Sequence, residues 1–137
     1  MTTVSPATVT ERFTEVMNLA LIVADAAGFI RFVNPAFCEM FCYSQADILG
    51  KPVTLIVPER LRGAHIAGMA NVSAGAKPGL SGRAVEVSAL RAGGAEFPIE
   101  IAVSTWKDEG GNFWAGATIR DISERREREG QLLRLAS

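Results

Sequence analysis

Residues 96–106, EFPIEIAVSTW, place an apolar side chain at every second position: Phe97, Ile99, Ile101 and Val103. A period of two sends successive side chains to opposite faces of a strand, so this segment needs a core on one side and tolerates water on the other. Gly93-Gly94 and the DEGGN stretch at 108–112 bracket it with turn chemistry. Arg83–Leu90, with Val85, Val87 and Ala89 on one face, reads as the strand before it, and Phe113–Arg120 as the strand after. The second half of the chain is therefore β.

The first half alternates more quickly between element types. Residues 1–8 are polar and read as unstructured. Phe13, Val16, Met17 and Ala20 recur at helical spacing, which predicts a helix over about Thr10–Leu19. Leu19–Ala24 and Phe29–Val33, separated by Asp25–Gly28, predict a β-hairpin. Asn34-Pro35 stops the strand, and PAFCEMFCY opens a short helix with Pro in its first turn. Ser44 caps a second, SQADILG, and a third covers about Arg60–Ser73. GAKPGLSG at 75–82 is a loop. The predicted order is two strands, three short helices, three strands, then a charged helical tail after Asp121.

With 137 residues, 48% of them apolar, the chain is long enough for one domain with a real core. A net charge of -1 gives no basic stripe for nucleic acid. No apolar run reaches membrane-spanning length, and MTTVSPATVTERF lacks the pattern of a secretory signal, so the expectation is a cytoplasmic protein. Cys38 and Cys42 lie one helical turn apart and read as two reduced thiols in the core. They have no ligand set around them, so no metal site is expected.

Catalytic residues are not expected either. A triad would need His65, the sole histidine, and no nucleophile elbow or phosphate loop is present. Glu86, Glu96 and Glu100 fall on the polar faces of strands, as a solvated sheet face requires.

Taken together, VADAAGFIRFVNPAF, YSQADILGKPVTLIVPERLR, LRAGGAEFPIEIAVS and IRDISERRERE resemble a PAS (sensor-box) domain, with motifs spread over about 21–129. The resemblance implies an α+β fold: a five-stranded antiparallel sheet in strand order 2-1-5-4-3, short helices on its concave face, and flanking N- and C-terminal helices. It divides the chain into a flanking segment 1–20, the PAS domain 21–121 and a linker helix 122–137 that begins a coiled coil.

It also implies a sensory input module. Such a module relays a ligand- or partner-induced change through its last helix to a covalently linked effector, such as a histidine kinase or diguanylate cyclase, and often works as a homodimer paired through flanking helices and sheet. Asp121, with Arg120 beside it in the DISER motif, matches the residue that ties the last strand to the exit helix, so both are assigned to signal relay.

Three chemistries come into question for the pocket. Oxygen-sensing, FixL-type PAS domains hold heme through a histidine on the long helix, and His65, seven residues after Pro58 and 32 before Phe97, matches that position. Against it, the expected distal arginine maps to Val85, with Arg83 nearby. The propionate arginine maps to Asn71 and an aromatic neighbour to Gly68. Flavin photochemistry is not expected, because Cys38 and Cys42 lie one segment too early for the flavin-trapping cysteine. The third is another small ligand: HIAGMANVSAGA leaves space beside Phe37, Met40, Phe41, Ile56 and Met69, with Leu80, Val85, Ile101 and Val103 on the far wall. A ligand-free homodimerisation module is the rival reading. Trp106 and Trp114, on neighbouring strands, lie either in the core or on the outer sheet face.

Overall fold

A computed structural model describes residues 6–73 and 83–136. Helix α1 spans Pro6–Met17, followed by β1 (Ala20–Asp25) and β2 (Ile30–Val33). Three helices come next, α2 (Pro35–Phe41), α3 (Gln45–Ile48) and α4 (Glu59–Ser73), with a 3-10 turn at Val53–Ile56 before the last. Strands β3 (Val85–Leu90), β4 (Glu96–Lys107) and β5 (Phe113–Asp121) lead into α5 (Ser123–Ala136). The five strands form one antiparallel sheet in the order β2-β1-β5-β4-β3, the arrangement the resemblance implied.

The alternation of Phe97, Ile99, Ile101 and Val103 sets the register. Ile101 of β4 lies opposite Val85 of β3 and Ile119 of β5, and Ile99 lies opposite Val87. Their side chains therefore share one face with Ala20, Ile22 and Ala24 of β1. Phe37 and Phe41 of α2 cover part of that face, stacked at 4.4 Å between ring centroids. Phe41 meets Phe97 edge-on at 5.2 Å, so α2 and β4 are locked by an aromatic trio.

Asn34 fixes where α2 begins. Its side-chain oxygen accepts from the Phe37 and Leu21 amides, and its Nδ2 donates to the Leu19 carbonyl. One buried side chain thus caps the helix and ties it to the start of β1.

Two turns rest on aspartates. Burial opposes ionisation of Asp25, but the Phe29 and Ala27 amides and the Arg31 guanidinium hold its carboxyl below the usual value. Asp108 closes the β4–β5 turn, held low by the Trp114 indole and by the Asn112 and Gly110 amides.

Several expectations shift. Helix α1 begins at Pro6, inside the stretch read as unstructured, since proline in a first turn has no needed N–H to lose. It stops at Asn18, whose φ is 51°. Residues 1–5 and the 75–82 loop lie outside the described residues. The two cysteines are free, but they do not share the core. Cys38 packs against it, and burial raises its pKa. Cys42 is exposed, because the chain turns left-handed there, at φ 63°, and ends α2.

Trp106 lies opposite Trp114 and is 44% exposed. It occupies the face away from the core, where its ring lies across Gly116. A Cβ at residue 116 would come within 3.0 Å of that ring, so glycine permits the close approach.

Candidate ligand cavity and exit-helix junction

Behind the sheet lies a cavity of about 90 Å³. Its floor is β1, β4 and β5, through Ile22, Ala24, Ile101, Val103 and the run Ala115–Gly116–Ala117 with Ile119. Val53 and Ile56 of the 3-10 turn close one side, and His65 of α4 closes another. The space comes from the small residues of β5 beneath, where a leucine or isoleucine would fill it.

Helix α4 is set in place at its first turns. Nε of Arg62 donates to the carbonyls of Thr54 and Val57, at 3.0 and 2.9 Å, which fastens the helix to the 3-10 turn. His65, three residues on, then meets Val53 at the cavity wall. Among the described lining residues it alone has a polar side chain. Its Nδ1 is buried without a hydrogen-bond partner. Burial also lowers its pKa, so the imidazole is neutral at pH 7.

Of the pocket residues named from sequence, the structure brings Ile56, Ile101, Val103 and His65 together. Phe37 and Phe41 are fully buried in the core outside the cavity lining, and Met40 packs against that core. Val85 is half-buried on the sheet's β3 edge, opposite Ile101, and does not reach the cavity. The side chain of Met69 and all of Leu80 lie outside the described residues, as does the side chain at Asn71. Ile22, Ala24, Val53, Ala115, Gly116, Ala117 and Ile119 were missed. All but Val53 lie on β1 and β5, which carry no period-two stripe of large apolar residues like that of β4.

The junction with α5 is equally specific. Asp121, the last residue of β5, accepts at Oδ1 from the Ser123 amide (2.9 Å) and hydroxyl (2.5 Å), capping the exit helix. Its Oδ2 accepts from Arg91 at 2.8 Å, and the Arg91 guanidinium stacks on the Phe97 ring at 3.6 Å. The Ile122 amide donates to the Pro98 carbonyl. Arg91 lies in the turn after β3, within the LRAGGAEFPIEIAVS motif, which gave it no role of its own. Arg120 is exposed and opposite Glu100 in register.

Further along, Arg125 and Arg126 of α5 both pair with Glu86 of β3, at 3.0 and 2.8 Å. The Arg126 hydrogen bond is the chief reason that the Glu86 carboxyl titrates below its usual range.

The described residues match one part of a heme site. A neutral imidazole with an unpartnered ring nitrogen is of the type that ligates metals. The macrocycle fits poorly: drug-sized ligands occupy about 300–1,000 Å³, and among the described lining residues there is no cation to meet propionates. Flavin adduct chemistry has no thiol here, since neither Cys38 nor Cys42 lines the cavity.

Comparison with known proteins agrees with this architecture. The PAS domain family model matches residues 18–124. An uncharacterized protein of Azorhizobium caulinodans is 37% identical over 118 residues, which cover 85% of this chain and 16% of that protein. The sensor protein FixL of Bradyrhizobium diazoefficiens is 25% identical over 118 residues, covering 86% of this chain and 23% of its own. The chain thus spans less than a quarter of either relative. Among solved structures, the PAS domain of a Colwellia psychrerythraea protein superposes with a TM-score of 0.67 at 21% identity, over 88% of this chain and 99% of that one. Sheet order, motif order and family match agree: the chain belongs to the PAS family of sensory domains and is similar to signalling proteins such as the sensor protein FixL.

Proposed function

We propose that this domain is the input module of a larger cytoplasmic signalling protein. It binds a small ligand in the cavity behind His65 and passes the bound state along β5 into α5, towards an attached effector such as a histidine kinase or diguanylate cyclase. One observation carries the reading. Strand β5 supplies Ala115, Gly116, Ala117 and Ile119 to the cavity and, two residues later, Asp121 to the cap of the exit helix. A ligand that shifts β5 therefore acts directly on the contact that holds α5. By differential affinity it favours one of two positions of that helix.

No bond is made or broken in this scheme, so the domain itself is regulatory and the catalytic step belongs to the effector. Pairing of two copies through the flanking helices and the outer sheet face is part of the proposal. Val9, Phe13, Val16 and Met17 line one side of α1 and are exposed, as are Phe32 and Trp106 on the sheet. Sedimentation velocity separates a dimer, the expected result, from a monomer.

The relay is tested by Arg91→Met and Asp121→Asn. Each removes the ion pair, and Asp121→Asn also weakens the cap. Amide exchange in residues 123–130 is expected to speed up about tenfold or more while β4 and β5 exchange stays unchanged. Unchanged α5 exchange in both variants would refute the anchoring role.

A heme reading is favoured by the orphaned His65 nitrogen and disfavoured by cavity size and by the lack of a cation among the described lining residues. The expected absorption spectrum of the purified chain has no Soret band. A band that His65→Ala abolishes would reverse that order.

A further inference from the structure

His65 and Val53 line a second hollow as well. On the other side of these two residues is a groove of about 370 Å³, walled by Ala26, Ala27 and Gly28 of the β1–β2 turn and by Pro52 and Thr54. The two spaces share His65 and Val53, so these side chains stand between one space and the other. One wall of the groove is fixed, because the Val53 amide donates to the Gly28 carbonyl at 2.9 Å.

We propose that the cavity beside His65 takes a small, uncharged, mainly aliphatic molecule carrying one hydroxyl group, which hydrogen-bonds to Nδ1. The inference rests on the ligand-binding reading above and names the ligand's chemical class. Three observations support it. The described cavity lining has no counter-ion, so a carboxylate or ammonium would be stripped of water without compensation. The buried Nδ1 lacks a partner, and a buried polar atom is most stable when satisfied. A hydroxyl serves either imidazole tautomer, since it both donates and accepts.

Size sets the last limit. An engineered apolar cavity of about 150 Å³ holds the six heavy atoms of benzene, and this one, at about 90 Å³, suits about four heavy atoms, three carbons and the hydroxyl oxygen.

The test is a titration of the ¹⁵N-labelled chain with propan-1-ol, propanoate and propylammonium, three probes with the same carbon count and different charge. Propan-1-ol is expected to give saturable amide shifts at Ile22, Val103 and Ala117, with propanoate and propylammonium at least tenfold weaker at those sites. Ala117→Leu, which fills the cavity, should abolish the propan-1-ol shifts. Ala115→Ile serves the same purpose should the first variant fail to fold. His65→Phe keeps an apolar wall and should weaken propan-1-ol at least threefold.

Charged probes that bind as well as the alcohol, shifts that persist in the filled variants, or no saturable shift at all would overturn the proposal. Failure of the sensory reading looks different: propan-1-ol binds at the cavity, yet the amides of 123–130 do not respond.

Discussion

His65 has a neutral imidazole because burial disfavours its charged form. The direction of the resulting pH dependence follows from linkage. With the folded-state pKa below the unfolded value of about 6.5, the unfolded chain binds the proton more readily in acid. Stability attributable to this residue is therefore complete above about pH 6.5 and is lost as pH falls towards the folded-state value. Urea melts at pH 7.5 and 5.5 should show a larger loss for the parent chain than for His65→Gln. Equal losses would mean that the imidazole is not desolvated.

Sequence placed this residue well, because its spacing from Pro58 and Phe97 follows the family. It could not show the empty Nδ1, nor the place beside Val53 between the two spaces, since both depend on how the 3-10 turn meets α4. Arg91 was invisible for a related reason. Its guanidinium acts through Phe97 and Asp121, six and thirty residues away, and a turn residue has no periodic pattern to betray it.

At the scale of elements, the sheet was readable and the helix ends were not. The alternation Phe97-Ile99-Ile101-Val103 admits one register with a buried face, and the structure has it. The same alternation in β5 is carried partly by alanine and glycine, which signal neither core nor pocket, so the cavity floor was missed. Cys42 was assigned to the core by its helical spacing from Cys38, but a left-handed residue ends α2 there, and the pattern stops with it.

The contact between α2 and β1 depends on Asn34, whose side chain satisfies two amides and one carbonyl. Asn34→Ala should cost about 2–3 kcal/mol, from a lost cap and stranded buried groups. Chemical denaturation followed by circular dichroism measures this directly. A loss below about 1 kcal/mol would mean that water replaces those bonds without penalty.

Across the whole molecule, one strand runs from the cavity to the exit helix. Strand β5 sits at the centre of the sheet between β1 and β4 and ends at the cap of α5. The ion pairs from Glu86 to Arg125 and Arg126 add a second, solvent-exposed tie between sheet edge and helix. Such pairs contribute little to stability and weaken in salt.

The exposed apolar stripe on α1, together with Leu132 and Leu133 on α5, leaves the flanking helices suited to pairing with a second copy. That arrangement would carry a change in one helix to its partner.

The central claim is that the state of the cavity is felt at the exit helix through Asp121. Hydrogen–deuterium exchange of residues 123–130 tests it, comparing the parent chain, Ala117→Leu, and Ala117→Leu combined with Asp121→Asn. Filling the cavity is predicted to change α5 exchange at least threefold, and adding Asp121→Asn to Ala117→Leu should leave exchange no different from Asp121→Asn alone. If Ala117→Leu leaves α5 exchange at the parent rate while the cavity is demonstrably filled, the cavity and the helix are not coupled and the account is wrong.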